Sequence, residues 1–113
     1  MRVSKIAESP PYAVEQALTT LGRNIRIARL RRRLSRERLA QKIGISRYLL
    51  ADIEGGKPTT AIAAYVGALW ALNLLQGIEM LADPDEDAEG KTLESARSPT
   101  TAPKRSKVLD DDF

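Results

Sequence analysis

The stretch that most constrains this chain is residues 34–56, LSRERLAQKIGISRYLLADIEGG. Leu39, Ala40 and Ile43 recur at helical spacing, and Leu50 and Ile53 repeat the pattern, which predicts two short amphipathic helices. Gly44 stands between them. A sharp helix exit needs a left-handed backbone conformation that glycine adopts without a Cβ penalty. Two residues on, Ser46 can cap the next helix with its hydroxyl. Two helices folded back to back about a tight turn follow from this spacing, so the remaining segments have to pack around that pair.

Composition narrows what such a chain can do. Its 113 residues suffice for one domain, and an aromatic share of 4% predicts a core of aliphatic side chains. Cysteine and histidine are both absent. That removes disulfides, thiolate and imidazole metal ligands, thiol nucleophiles and every His-dependent triad. The acids sit mostly in the C-terminal part, and no nucleophile–base pair or phosphate loop can be assembled, so neither an enzyme nor a bound cofactor is expected. No apolar run of about 18 residues occurs and no basic segment with an apolar core opens the chain, so a cytoplasmic protein without a membrane span is expected.

The net charge of +3 hides an asymmetry. Residues 21–58 hold eleven Lys/Arg against three Asp/Glu, whereas residues 82–113 hold five against nine. The basic block contains the paired helices, which read as a helix-turn-helix. In that motif the first helix holds the second so that its outer face can enter the major groove of DNA, and a cationic surround is the footprint of phosphate contact.

Taken in order, residues 1–9 form a polar lead without periodicity, expected to be flexible. Ser9, Pro10 and Pro11 mark a helix start, and Val14, Leu18, Leu21, Ile25 and Ala28 put one apolar face on the helix that follows. Gly22 weakens this run by roughly 1 kcal/mol relative to alanine, so the segment to about Arg33 is one helix or two. Arg23, Arg26, Arg29, Arg31, Arg32 and Arg33 crowd its end. Helix-end electrostatics accounts for some of these, and phosphate contact for the excess.

Ser35 is the expected cap of the second helix and Ile45 the plug of the turn. Ala40 is small enough to let the two helices cross closely. The third helix is expected over residues 47–54, ended by Gly55 and Gly56. Arg36, Arg38, Lys42 and Lys57 lie at helix ends or outer faces around it, as candidates for DNA phosphate contact. Thr59 or Thr60 can cap a fourth helix carrying Ile62, Ala63, Val66, Leu69 and Trp70. Asn73 interrupts it before a fifth carrying Leu74, Leu75, Ile78 and Leu81. Between residues 61 and 82 only Glu79 is charged, and the apolar side chains spread over more than one face. Surplus apolar surface is often covered by another chain, which makes Leu69, Trp70, Leu72, Leu74, Leu75 and Ile78 the expected homodimer interface. A well-buried last helix is the alternative.

The domain is thus expected over residues 10–82. Residues 83–113 have too little apolar surface for a core and read as a mostly disordered acidic tail, with a short helix conceivable over residues 88–97. Within the tail, Leu109 and Phe113 flank three aspartates. They are either part of an unstructured end or the anchors of a partner-docking peptide.

Ser35, Leu39, Ala40, Gly44, Ile45, Ser46, Ile53, Glu54, Gly56 and Lys57 together resemble the helix-turn-helix of the phage Cro and repressor class, the XRE family. The resemblance implies an all-α, five-helix Cro/repressor-like domain that binds double-stranded operator DNA as a dimer. Carried onto this sequence, the family's base-reading positions are Arg47, Tyr48, Ala51 and Asp52. Arg47 can present two N–H donors to guanine O6 and N7. Tyr48 can meet a thymine methyl or a phosphate, while Asp52 can accept from cytosine or pair with a neighbouring arginine. Leu49 can touch a thymine methyl or simply pack. Where the family commonly carries an acid three residues after the capping serine, this chain has Arg38, which weakens the cap and adds positive charge.

The whole chain, with its basic first helix, the LWALNLL segment at residues 69–75 and its tail, is similar to HipB-type antitoxins encoded beside HipA-like kinases. That likeness implies a repressor of its own operon that also neutralises a HipA-like serine/threonine kinase toxin. A stand-alone regulator without a toxin, and a protein-interaction module that no longer reads DNA, remain the alternatives.

Overall fold

The computed structural model describes residues 4–97, and the regular structure among them is all helical. The α-helices are α1 (Lys5–Glu8), α2 (Tyr12–Arg31), α3 (Arg36–Ile43), α4 (Arg47–Glu54), α5 (Ile62–Ala71) and α6 (Ala88–Arg97). Tighter 3₁₀ turns occupy Leu75–Met80 and Pro84–Glu86. Among the described residues no helix is long and apolar enough to cross a membrane. Two compact units divide the chain, one ending at Glu79 and the other beginning at Met80.

In the first unit α2 runs unbroken through Gly22. A Cβ at Gly22 would stand 2.5 Å from the Ile53 carbonyl oxygen and 2.6 Å from that of Glu54, so the glycine lets α2 lie directly against the end of α4. Gly56 meets α2 equally closely at Leu18 and holds a left-handed φ of 71°. The helix-weakening effect of Gly22 is offset by this packing. α2 begins at Tyr12, after both prolines, and Pro11 occupies its N-cap. At its other end Arg33 adopts a φ of 53°, and the Leu34 amide donates to the Arg29 carbonyl at 3.2 Å. Within the N-terminal lead, Lys5–Glu8 makes one helical turn that buries none of its residues.

Both short central helices carry the caps that their serines announce. Ser35 Oγ accepts from the Arg38 amide and Ser46 Oγ from the Leu49 amide, each at 3.0 Å. Gly44 leaves α3 with a φ of 88°. Helix α2 packs on α4, and α3 packs on both α4 and α5. The core between them is Ile25, Ala28, Leu39, Ala40, Leu50, Ile53, Tyr65, Ala68 and Leu72, with Ile45 packed against it from the turn.

The region after α4 departs from expectation at three points. α5 starts behind Ala61 without a side-chain cap, so neither Thr59 nor Thr60 caps it. Instead the buried Tyr65 hydroxyl donates to the Lys57 carbonyl at 2.8 Å and fastens the connector to α5. α5 ends before Asn73, which takes a φ of 62°, and a 3₁₀ turn containing Gly77 replaces the expected fifth α-helix. Leu72 is fully buried in the core and cannot serve an interface; Leu69 also packs against that core. Leu72 continues the buried stripe of Tyr65 and Ala68 at helical spacing, and Asn73 ends the helix just beyond it, with the Leu74 amide donating to the Leu69 carbonyl at 2.8 Å.

In the second unit Asp83 Oδ1 accepts from the Asp85 amide and Asp87 Oδ1 from the Gly90 amide, each at 3.0 Å. These carboxylates start the 3₁₀ turn and α6, which buries none of its residues. Residues 84–97 are therefore largely helical where composition reads as a tail without a core. Leu109 and Phe113 lie outside the described residues.

Candidate nucleic-acid interface

The N-terminal turns of α3 and α4 open onto two adjoining shallow clefts. One is walled by Arg36, Glu37, Arg47, Tyr48 and Ala51. The other is walled by Glu37, Arg38, Gln41 and Arg47. Capping fixes both turns: Ser35 places Arg36, Glu37 and Arg38 in the first turn of α3, and Ser46 places Arg47 and Tyr48 in the first turn of α4. Unpaired amides at helix N-termini add partial positive charge to the arginines there.

Arg47 is held from two sides. Its Nη1 donates to Glu37 Oε2 at 2.8 Å and its Nη2 to the Tyr48 hydroxyl at 3.1 Å, with Cζ lying 5.1 Å from the Tyr48 ring centroid. The Tyr48 hydroxyl, then the charge and hydrogen bond of Glu37, raise the pKa of the guanidinium above its ordinary value. Tyr48 remains 69% exposed, so its ring is a surface element and not part of the core.

Beneath the clefts lies a buried ion cluster. Arg29 Nε donates to Glu54 Oε2 at 2.6 Å and its Nη2 to Glu54 Oε1 at 3.1 Å, while its Nη1 donates to the Leu34 carbonyl at 2.8 Å. Arg36 Nε reaches the same Glu54 Oε1 at 3.0 Å from the solvent side. Burial alone would push the Glu54 carboxyl up; hydrogen bonds and charge from Arg29 and Arg36 outweigh it and hold the group below its ordinary range.

This arrangement sorts the candidate residues. Arg36, Arg47, Tyr48 and Ala51 line one cleft, and Arg38 lines the adjoining one together with Arg47. Arg29 is buried and committed to Glu54, so it drops out of the arginines available to phosphate. Arg36 is also tied to Glu54 through Nε, although its side chain is half-exposed. Asp52 pairs with Lys57, at 3.9 Å, and not with an arginine. Neither of these residues, nor the exposed Lys42, lines the two clefts.

Glu37 and Gln41, together with the buried ion pairing of Glu54, escape a reading of the sequence by pattern. Glu54 did carry a signal. It continues the stripe of Leu50 and Ile53 at helical spacing, just as Arg29 continues that of Ile25 and Ala28, and opposite charges on two apolar stripes point to a buried pair. Glu37 and Gln41 sit on exposed faces, where spacing distinguishes nothing.

Of the expected interface residues, Trp70 is 59% and Leu74 42% exposed, and Leu75 and Ile78 are half-buried. Trp70, Asn73, Leu75 and Gln76 form a shallow groove. No protein-family model, curated protein or solved structure matches the chain.

Proposed function

We propose that the chain is a sequence-specific DNA-binding transcriptional repressor of the Cro/repressor-like helix-turn-helix type, with α4 as the reading helix. The observation that carries this reading is the gathering of Arg36, Arg38 and Arg47 around clefts at the N-terminal ends of α3 and α4. Phosphate contact sets register and affinity, whereas the first turn of α4 meets base edges. Arg47 is the guanine reader and Tyr48 its neighbour in the groove; Arg38 contacts phosphate. A homodimer through Trp70 and Leu74 presents two such helices to the half-sites of one operator.

The antitoxin role rests on the likeness to HipB-type proteins. In that role the dimer represses its own operon in the cytoplasm and neutralises a HipA-like kinase.

Selection from a random duplex pool, followed by electrophoretic retardation, tests the DNA reading. A two-fold symmetric site should emerge. Arg47→Ala should lower affinity mainly for that site, by about 1–3 kcal/mol, while Arg38→Ala should weaken all duplexes and reduce the salt dependence. Arg38 is the better phosphate probe than Arg36, whose loss would also disturb Glu54. Equal losses from both variants would reject the division of roles, and failure to enrich any sequence would favour a protein-interaction module. If a HipA-like kinase is encoded beside the gene, co-expression with it should yield a complex; separate elution of the two proteins would leave a stand-alone regulator.

A further inference from the structure

Glu37 is an acid in the middle of the surface that, on the reading above, faces a phosphate backbone. It lines both clefts and its carboxylate holds Nη1 of Arg47 at 2.8 Å. Resting on that DNA-binding reading, we infer that Glu37 is a positioning residue that determines specificity: it fixes the fork of Arg47 for one G·C pair and penalises every duplex, a loss that only a duplex offering that pair recovers.

Stability does not explain the pair. Its two side chains are 53% and 69% exposed, and an ion pair so open to water adds little to folding. Its geometry, however, restricts Arg47 closely. Glu37 on α3 takes one donor from Nη1, the Tyr48 hydroxyl on α4 takes one from Nη2, and the Tyr48 ring lies against the guanidinium. A guanidinium carries five N–H donors, so those on Nε and the second donor of each Nη are left for a ligand. An arginine that already sits in one orientation loses less side-chain entropy when its fork meets guanine O6 and N7.

The same carboxylate has a second effect. It stands among Arg36, Arg38 and Arg47 and weakens the attraction those cations exert on any phosphate. Every duplex meets that penalty, and only one with guanine under the held fork recovers it. Discrimination is a difference of affinities, so an element that disfavours wrong sequences raises it as surely as a new contact.

The test uses the duplex selected by the wild-type protein, a scrambled duplex, and the selected duplex with the guanine under Arg47 changed to adenine. Glu37→Ala should raise affinity for the scrambled duplex severalfold and cut the ratio of selected to scrambled binding about tenfold, with the guanine preference fading. Glu37→Gln keeps an acceptor for Nη1 without the charge. It should raise scrambled binding yet retain most of the guanine preference, a split that a merely structural role would not produce. Thermal midpoints of both variants should match the wild type. An unchanged ratio and guanine preference in Glu37→Ala overturns the inference while leaving the DNA reading standing. A uniform gain on all three duplexes also overturns it, because it would reduce Glu37 to a charge without a positioning role. Failure of the wild-type protein to select any sequence overturns both.

Discussion

Glu54 gathers two guanidinium groups on one carboxylate at the junction of α2, α3 and α4. A charge buried this deeply is tolerated only while its partner is present, so Glu54→Ala, which strands Arg29, should cost about 3–5 kcal/mol in urea denaturation. Exchanging both at once, as in Arg29→Met with Glu54→Leu, should recover most of that loss, since no buried charge is left unpaired. The pair also gives stability a pH dependence of known sign. Because the folded carboxyl titrates below its ordinary value of 4.5, its contribution is full above that pH and fades as pH falls through the lower folded value. Between these points the unfolded chain binds more protons. Wild-type stability should therefore fall below about pH 4.5 more steeply than that of Glu54→Gln, measured by urea midpoints across an acid series. At this scale Arg47 and its first-turn position were legible from residue order alone. Its clasp by Glu37 was not, because ten residues of separation across a turn carry no periodic signal.

Helix α2 shows how an element can contradict its own propensity. On propensity, Gly22→Ala should gain roughly 1 kcal/mol. The new methyl would nevertheless collide with the Ile53 and Glu54 carbonyls and the Gly56 amide, all backbone atoms that cannot rotate aside. We expect a net loss of about 1–3 kcal/mol, the range of overpacked sites, with the end of α4 displaced and the urea midpoint lowered. Gly44 gives the contrasting case. Nothing lies within 4 Å of the position a Cβ would take, so Gly44→Ala should cost only the left-handed backbone penalty, about 1–2 kcal/mol. The bounds of α3 and α4 were legible because a capping serine opens each and a glycine follows each end. The start of α5 was not, since Ala61 has no side chain to cap with and the anchor is the hydrogen bond from Tyr65 to Lys57. Such an anchor exists only once the helices have packed.

Across the whole molecule, the proposed DNA reading has the basic segment of residues 21–58 attract any duplex, yet attraction alone would not join two half-sites. That requires a second copy. Leu72 turns inward and Leu69 leans on the core, so of the six apolar residues expected to meet a partner only Trp70 and Leu74 are well exposed. If the proposed dimer forms through these two side chains, one substitution should break it. Trp70→Asp would set a charge in the proposed interface while leaving the core untouched, since the indole is more than half-exposed. Sedimentation equilibrium should find a monomer with a nearly unchanged melting temperature. If the operator spans two half-sites, linkage of the reading helices raises the local concentration of the second once the first has docked. The monomer should then bind the full operator at least about tenfold more weakly, while its affinity for a single half-site stays as in the wild type. Equal losses on full and half operators would instead place Trp70 in contact with DNA, and an unaltered sedimentation profile would remove this patch from the interface.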